Sequence, residues 1–291
     1  MRITGSRMLE LATQATSRAQ TEVADTASQL SSGKRVDRAS DDPLAWAQSR
    51  RAALRRTMSE GRGEAMSSAR EHLGETERAL ASIGGALAES RQIAVQAANA
   101  GLGATDRAAL GQHVAGLFQT ALAAANTRNA AGEYVLAGGV STAAPFDATG
   151  AYAGDSATRE LDIDEGARAN VSLAGSSLTA AAGVDVLPAL GRLATALAAN
   201  DLTAIQTAIG ELDTAHRQVV EARSHVGSMQ AVLDEAQQSR ASLEDAMTAR
   251  IAELTDADVI TAAGQLAQHT SALAAAQAVN AKLAQLLSPA R

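Results

Sequence analysis

The side chains with the widest chemical range in this sequence are five histidines: His72, His113, His216, His225 and His269. A metal centre on a helix needs two such ligands on one face at a spacing of three or four. No two of these stand so, and isolated histidines on helices read as solvated or seam residues. Asp162-Ile163-Asp164-Glu165-Gly166 suggests a calcium loop but lacks the twelve-residue pattern of oxygen ligands, so it reads as the polar edge of a hairpin. Gly61-Arg62-Gly63 and Gly101-Leu102-Gly103 lack the third glycine and the strand-turn-helix context of a nucleotide site. There is no Gly-x-Ser-x-Gly elbow. The chain has no cysteine, which excludes disulfides, thiolate metal ligation and thiol catalysis. The expectation is a non-enzyme with no catalytic residue, no cofactor and no metal.

The elements that could carry a function are helices. Of 291 residues 70 are alanine and only five are aromatic. Alanine favours helix but buries little area, so long helices touching along thin seams are expected in place of a core of large rings. The net charge of −7 disfavours nucleic acid as a partner. No segment approaches the length of a membrane span, and no apolar stretch marks a signal peptide at the N-terminus.

Met8, Ala12, Ala15, Ala19, Val23, Ala27 and Leu30 recur at steps of three and four and predict a first amphipathic helix. Gly33 stops it. Asp42 and Pro43 start a second helix, as cap and first helical residue. Leu44, Arg51 and Met58 are seven apart, as are Leu73, Leu80, Leu87 and Ala94, with Ile83 and Ala97 between. One helix over 43–99 is predicted, about 85 Å long, weakened at Gly61, Gly63, Gly74, Gly84 and Gly85. After the Gly101–Gly103 break, Thr105 or Asp106 can cap a third helix that ends near Gly132.

Residues 133–185 change character, with Tyr134, Phe146, Tyr152, Pro145 and several glycines. Residues 159–164 alternate polar and apolar, as do 170–173, which predicts a hairpin in a small β-rich insert. Helix resumes near 186, with Asn200-Asp201 as break and cap. A heptad then runs through Ile205, Leu212, Val219, Val226, Leu233, Met247 and Leu254, interrupted only by Arg240, and predicts a coiled-coil-like helix antiparallel to 43–99. Beyond Asp256-Ala257-Asp258, a last helix keeps the rhythm of Val259, Ala262, Leu266, His269, Leu273, Ala276, Asn280, Leu283 and Leu287. Neither terminal helix carries enough apolar area to stand alone in water. The fold class expected is mainly α: a long antiparallel helical rod with a small β-rich insert.

Gln29-Leu30-Ser31-Ser32-Gly33-Lys34-Arg35-Val36-Asp37-Arg38-Ala39-Ser40-Asp41-Asp42-Pro43 resembles the N-terminal motif of the bacterial flagellin family, with Leu30, Ser31, Ser32, Gly33, Asp41, Asp42 and Pro43 as its punctuation. Pro43-Leu44-Ala45 and the stretch from Asn126 to Gly139, followed by Pro145-Phe146, are more similar to the family's hook–filament junction members than to its filament flagellins. Asp256-Ala257-Asp258 and the helix after it resemble the shared flagellin C-terminus.

The resemblance implies a structural axial protein of the bacterial flagellum at the junction of hook and filament. Residues 1–42 with 256–291 would form an assembly-dependent inner tube, 43–132 with 186–255 a rod-like bundle, and 133–185 an outward-facing insert. The implied partners are other copies of the chain, a neighbouring hook-associated protein, flagellin and a cytoplasmic export chaperone. The implied location is extracellular, on the flagellum, reached by type III export without a cleaved signal peptide. Met8, Leu30, Leu266, Leu273, Leu283 and Leu287 are the expected assembly contacts. The alternatives are a filament flagellin and, in a different class, a coiled-coil adaptor or adhesin stalk.

Overall fold

A computed structural model describes residues 5–99, 101–139, 142–164 and 166–287. It contains six α-helices and one two-stranded sheet: α1 (Gly5–Ser32), α2 (Pro43–Ala97), α3 (Ala104–Ala125), β1 (Glu160–Asp164), β2 (Ala167–Asn170), α4 (Val186–Ala198), α5 (Leu202–Thr255) and α6 (Val259–Leu287). The mainly helical class with a small β element is therefore the one observed. The chain divides into two compact units, one of residues 1–58 with 242–291 and one of residues 59–241.

The larger unit, 59–241, holds the apolar core. Leu73, Leu80, Ile83 and Leu87 of α2, Val114 of α3, Leu187, Leu190, Leu193 and Leu197 of α4, and Ile205 and Leu212 of α5 are all fully buried or nearly so. Each such leucine contributes about 2 kcal/mol of burial. Within this unit α2 and α5 run antiparallel, because partners rise along one helix as they fall along the other. Arg70 pairs with Asp234 at 2.9 Å, Glu77 with Arg223 at 2.6 Å, and Arg91 with Asp213. The glycines of α2 do not break it. At Gly84 an added Cβ would lie 3.5 Å from Val219, so that position brings the two helices close.

The sequence placed several boundaries differently. α3 ends at Ala125, not near Gly132, because the Asn126 side chain bonds the backbone of Phe146 in both directions, at 2.9 and 3.0 Å. Its N-cap is Gly103, not Thr105 or Asp106. The second strand is 167–170, not 170–173. Gly166, at φ +82°, makes the turn, and 171–174 bend inward to bury Val171, Leu173 and Ala174. The Leu44–Met58 heptad faces water, with Leu44 69% and Met58 59% exposed, whereas Ala45 and Ser49 are buried. On α1, Thr16 and Thr26 take seam positions while Ala15 and Ala27 are exposed.

The base of the insert docks on α2 through His72. This ring is buried, and Asn129 donates an amide N–H to its Nδ1 at 3.3 Å. Asn129 also accepts the Glu133 backbone N–H at 2.9 Å, and Glu133 pairs with Arg159 at 2.7 Å. Burial, then the positive charge of Arg159, pushes the imidazole below its ordinary value of 6.5, against a smaller opposing pull from Glu133. The neutral ring is the folded form. The stability this adds is present above pH 6.5 and is lost as pH falls through the lowered folded value. Thermal unfolding followed by circular dichroism should therefore show a decline as pH falls below 6.5, and His72→Gln should flatten it.

Candidate assembly surface

In the smaller unit the terminal helices pair with each other. Glu22 lies 3.3 Å from His269 and Thr16 lies 3.5 Å from Asn280, so α1 and α6 are antiparallel. The less exposed positions are Ala12, Thr16, Ala19, Val23, Thr26 and Leu30 on α1, and Ala262, Leu266, His269, Leu273, Ala276, Asn280 and Leu283 on α6. Both sets step by three and four, which is the spacing of an antiparallel two-helix seam. Among these, only Ala19, Thr26 and Ala262 are fully buried. Small and polar side chains dominate the seam, so it buries little apolar area per turn.

Of the expected assembly contacts, Met8 is exposed at 46%, while Leu30, Leu266, Leu273 and Leu283 are half-buried. Leu287 falls within α6, but its side chain lies outside the described residues. Leu9 and Leu11 of α1 and Val259 and Ile260 of α6 are also exposed, Ile260 at 86%. Sequence reasoning flagged none of these four as a surface residue: Val259 was placed on the α6 seam but is 55% exposed, because the buried face begins only at Ala262, and Leu9, Leu11 and Ile260 break the three–four rhythm.

A polar clasp closes the base of this helix pair. Gly33, at φ +68°, donates its N–H to the Gln29 carbonyl at 2.9 Å and ends α1. This left-handed terminus is the reason glycine serves there. The chain then runs beside the α5–α6 joint. The Arg35 and Val36 N–H groups donate to the Thr255 carbonyl at 2.7 and 3.1 Å, and the Ala257 N–H donates to the Gly33 carbonyl at 2.9 Å. Lys34 Nζ donates to Asp256 at 2.6 Å and to the Thr255 hydroxyl at 3.3 Å, and Arg35 donates to the Leu254 carbonyl at 2.9 Å. Asp42 caps α2 through the Ala45 N–H at 3.0 Å, as its position beside Pro43 requires. Asp258 caps α6 through Ile260 and Thr261. Thus the motif residues Ser31, Ser32, Gly33, Asp41, Asp42 and Pro43 all sit at helix ends or in the turn between them.

These bonds hold the carboxylates charged. The Lys34 ammonium lowers Asp256, the Thr261 hydroxyl lowers Asp258, and the Arg38 and Asp37 N–H groups lower Asp41, all from an ordinary value of 3.8. Their contribution is present above pH 3.8 and is lost as pH falls through the lowered folded values. Amide hydrogen exchange at 33–36 and 255–261 should accelerate below pH 3.8, and Asp256→Asn, which cannot ionise, should speed exchange at 33–36 already at neutral pH and remove the part of the acid transition that Asp256 carries.

The rod-seam residues divide by depth. Ile205, Leu212, Val219, Val226 and Leu233 are buried in the larger unit, and Met247 and Leu254 are half-buried. One buried group the sequence did not flag is Arg107. Its Nε donates to the Ala97 carbonyl at 2.8 Å, Nη2 to the Asn99 carbonyl at 2.8 Å and Nη1 to Asn200 at 2.6 Å. Among the described residues there is no group of three or more metal-binding side chains and no helix long and apolar enough to cross a membrane.

Residues 6–141 match a family model described as the bacterial flagellin N-terminal helical region. The 29–43 motif lies inside that span, and so does the 126–139 stretch. The flagellar hook-associated protein 3 of Salmonella typhimurium is 30% identical over 165 residues, covering 56% of this chain and 52% of that one. The chain thus spans about half the length of the curated relatives it matches. The structure of flagellar hook-associated protein 3 from Legionella pneumophila superposes with a TM-score of 0.62 at 16% identity, covering 70% of this chain and 98% of that one. FlgL from Bacillus cereus gives 0.57 at 20% identity, covering 67% and 97%. At these identities the structural likeness is one of fold.

Proposed function

We propose, for a chain whose residues 6–141 match the bacterial flagellin N-terminal helical region, that it is a structural axial protein joining hook to filament in the bacterial flagellum. The observation that carries this reading is the terminal pair. α1 and α6 share a thin seam of small and polar residues and leave Met8, Leu9, Leu11 and Ile260 in water. Such a pair is marginal alone and gains its remaining burial from neighbouring subunits, so ordering and assembly are coupled. Like subunits meeting head to tail without closing build a helical array.

In this reading Met8, Leu30, Leu266, Leu273, Leu283 and Leu287 are the assembly contacts. The terminal segments 1–42 and 256–291 form the inner layer, 43–132 with 186–255 the rod, and 133–185 the outer insert. The partners are further copies of the chain, a neighbouring hook-associated protein, flagellin and an export chaperone. The chain works outside the cell after flagellar type III export, and it is not an enzyme. The hook-associated names of the relatives support the junction over the filament.

Deletion of the chain's gene should leave hooks of normal length that carry no filament. Deletion that leaves filaments in place would overturn the junction role. Filament growth by the purified chain alone would favour a filament flagellin instead.

A further inference from the structure

Residues 43–58 of α2 hold four arginines, Arg50, Arg51, Arg55 and Arg56, and no acidic residue, in a chain of net charge −7. Leu44, Arg51, Leu54, Arg55 and Met58 fall on one helix face at steps of three, four and seven. All five are exposed, and Leu54 is 61% so. Arg51 and Arg55 have no ion pair or hydrogen-bond partner among the described residues. Two free guanidinium groups thus flank three large apolar side chains in water. This is an unpartnered face with a definite charge.

The larger unit carries a surface of opposite chemistry. Glu60, Glu64 and Glu71 rim a shallow groove also lined by Gly63, Ser67, Ser68 and Arg240, with the Arg240 guanidinium packed over Gly63 at the Glu60 end. Glu64 and Glu71 are exposed and have no cation or hydrogen-bond partner among the described residues. Arg240 fills the space over Gly63, whereas the exposed Ser67 and Ser68 leave room for apolar side chains, and the free carboxylates of Glu64 and Glu71 stand where further guanidinium groups could meet them, including in bidentate form.

We propose that the Arg51–Arg55 face of one copy docks on the Glu64–Glu71 groove of a second copy. Leu54 and Met58 fill the groove over Ser67 and Ser68, and the arginines meet the glutamates at its rim. This inference rests on the self-assembly reading above and names a contact within it. The two surfaces differ, so the contact is heterologous and propagates from copy to copy. Rim charges of this kind set register and partner choice and weaken with salt. A chain whose copies repel through a shared net negative charge gains orientation from one basic face among acidic ones.

The absence of cysteine makes the test clean. Leu54→Cys and Ser68→Cys versions of the full chain are expressed together in cells lacking the native gene, and isolated flagella are oxidised mildly. The expected product is a mixed 54–68 dimer at least tenfold above either homodimer. Arg51→Glu with Arg55→Glu in the Leu54→Cys version should reduce it at least tenfold. Glu64→Arg with Glu71→Arg in the Ser68→Cys version should restore it. If the chain is present in the flagella without the mixed dimer, the docking is wrong and the assembly reading stands. A position-54 adduct to a protein other than this chain would also overturn the second copy as occupant. If neither version enters the flagella while the cysteine-free chain does, oxidation is replaced by salt extraction. Loss of the Arg51→Glu/Arg55→Glu chain and its recovery in the fourfold charge swap then supports the docking, and equal retention of all versions overturns it. Absence of the cysteine-free chain itself would sink both readings.

Discussion

Leu273→Arg is expected to abolish incorporation into the flagellum while the unit of residues 59–241 keeps its fold. Leu273 is half-buried on α6, in step with Leu266, Ala276 and Asn280. Its seam faces mostly alanine and threonine on α1, with Ala19 and Thr26 the buried members. An arginine placed there removes the leucine's share of a seam with little apolar area to spare and sets a charge at a half-buried position, which disfavours the pairing. The pair cannot offset that, since neither helix is stable alone. Among the described residues the buried apolar core of the larger unit ends at Leu233 and its packed fringe at Ala236, so a change at 273 leaves that packing untouched. Limited proteolysis should digest α1 and α6 and leave a resistant fragment containing 59–241. Leu273→Ala should be milder, because it removes area without adding charge. Normal swimming and normal incorporation of Leu273→Arg would remove this seam from the assembly surface.

Arg107→Ala should cost the larger unit about 3 kcal/mol. The guanidinium is only 3% exposed and satisfies carbonyls at the end of α2 and just beyond it, together with the Asn200 side chain. A cation at a helix C-terminus also meets the negative end of the helix dipole. Removing it leaves two carbonyls without this donor and frees Asn200, which holds φ +56° in the turn before α5. Calorimetry should show a fall in Tm of roughly 6–12 °C for a unit of this size. Arg107→Lys should recover less than half, because a single ammonium cannot reproduce the three-way fork. A Tm within 2 °C of the parent would show that the fork is dispensable.

How far the sequence revealed this architecture depended on which physical signal each element carried. Leu73, Leu80, Leu87 and Leu212 are large apolar residues at heptad spacing, and their burial was legible. At 44–58 the large residues point to water and the seam is held by Ala45 and Ser49, which are too small to register as a pattern. Hydrophobic spacing there traced the wrong face. The 121–131 stretch has strong helix propensity, yet α3 ends at Ala125 because Asn126 is claimed by the backbone of Phe146, a contact set by tertiary structure. The hairpin register was weakly specified because every residue of β1 and β2 is half-buried or exposed.

The candidate site was legible in its punctuation and not in its partners. Gly33 as a left-handed stop and Asp42 as a cap follow from local chemistry. The bond from Lys34 to Asp256 joins residues 222 positions apart, and no local pattern announces it. Arg107 was invisible for the same reason, since its acceptors are two backbone carbonyls at the end of α2 and a side chain in the turn before α5. The resemblance at 29–43 closed part of that gap, because it tied the punctuation to a family in which both chain ends act together.

The central claim is that this chain is the joint between hook and filament. Labelling of intact flagella with an antibody against residues 133–185, viewed by electron microscopy, tests it most directly. A single narrow band of label is expected at the boundary between hook and filament. Label along the whole filament, or none on the flagellum while the chain is found elsewhere, would contradict it.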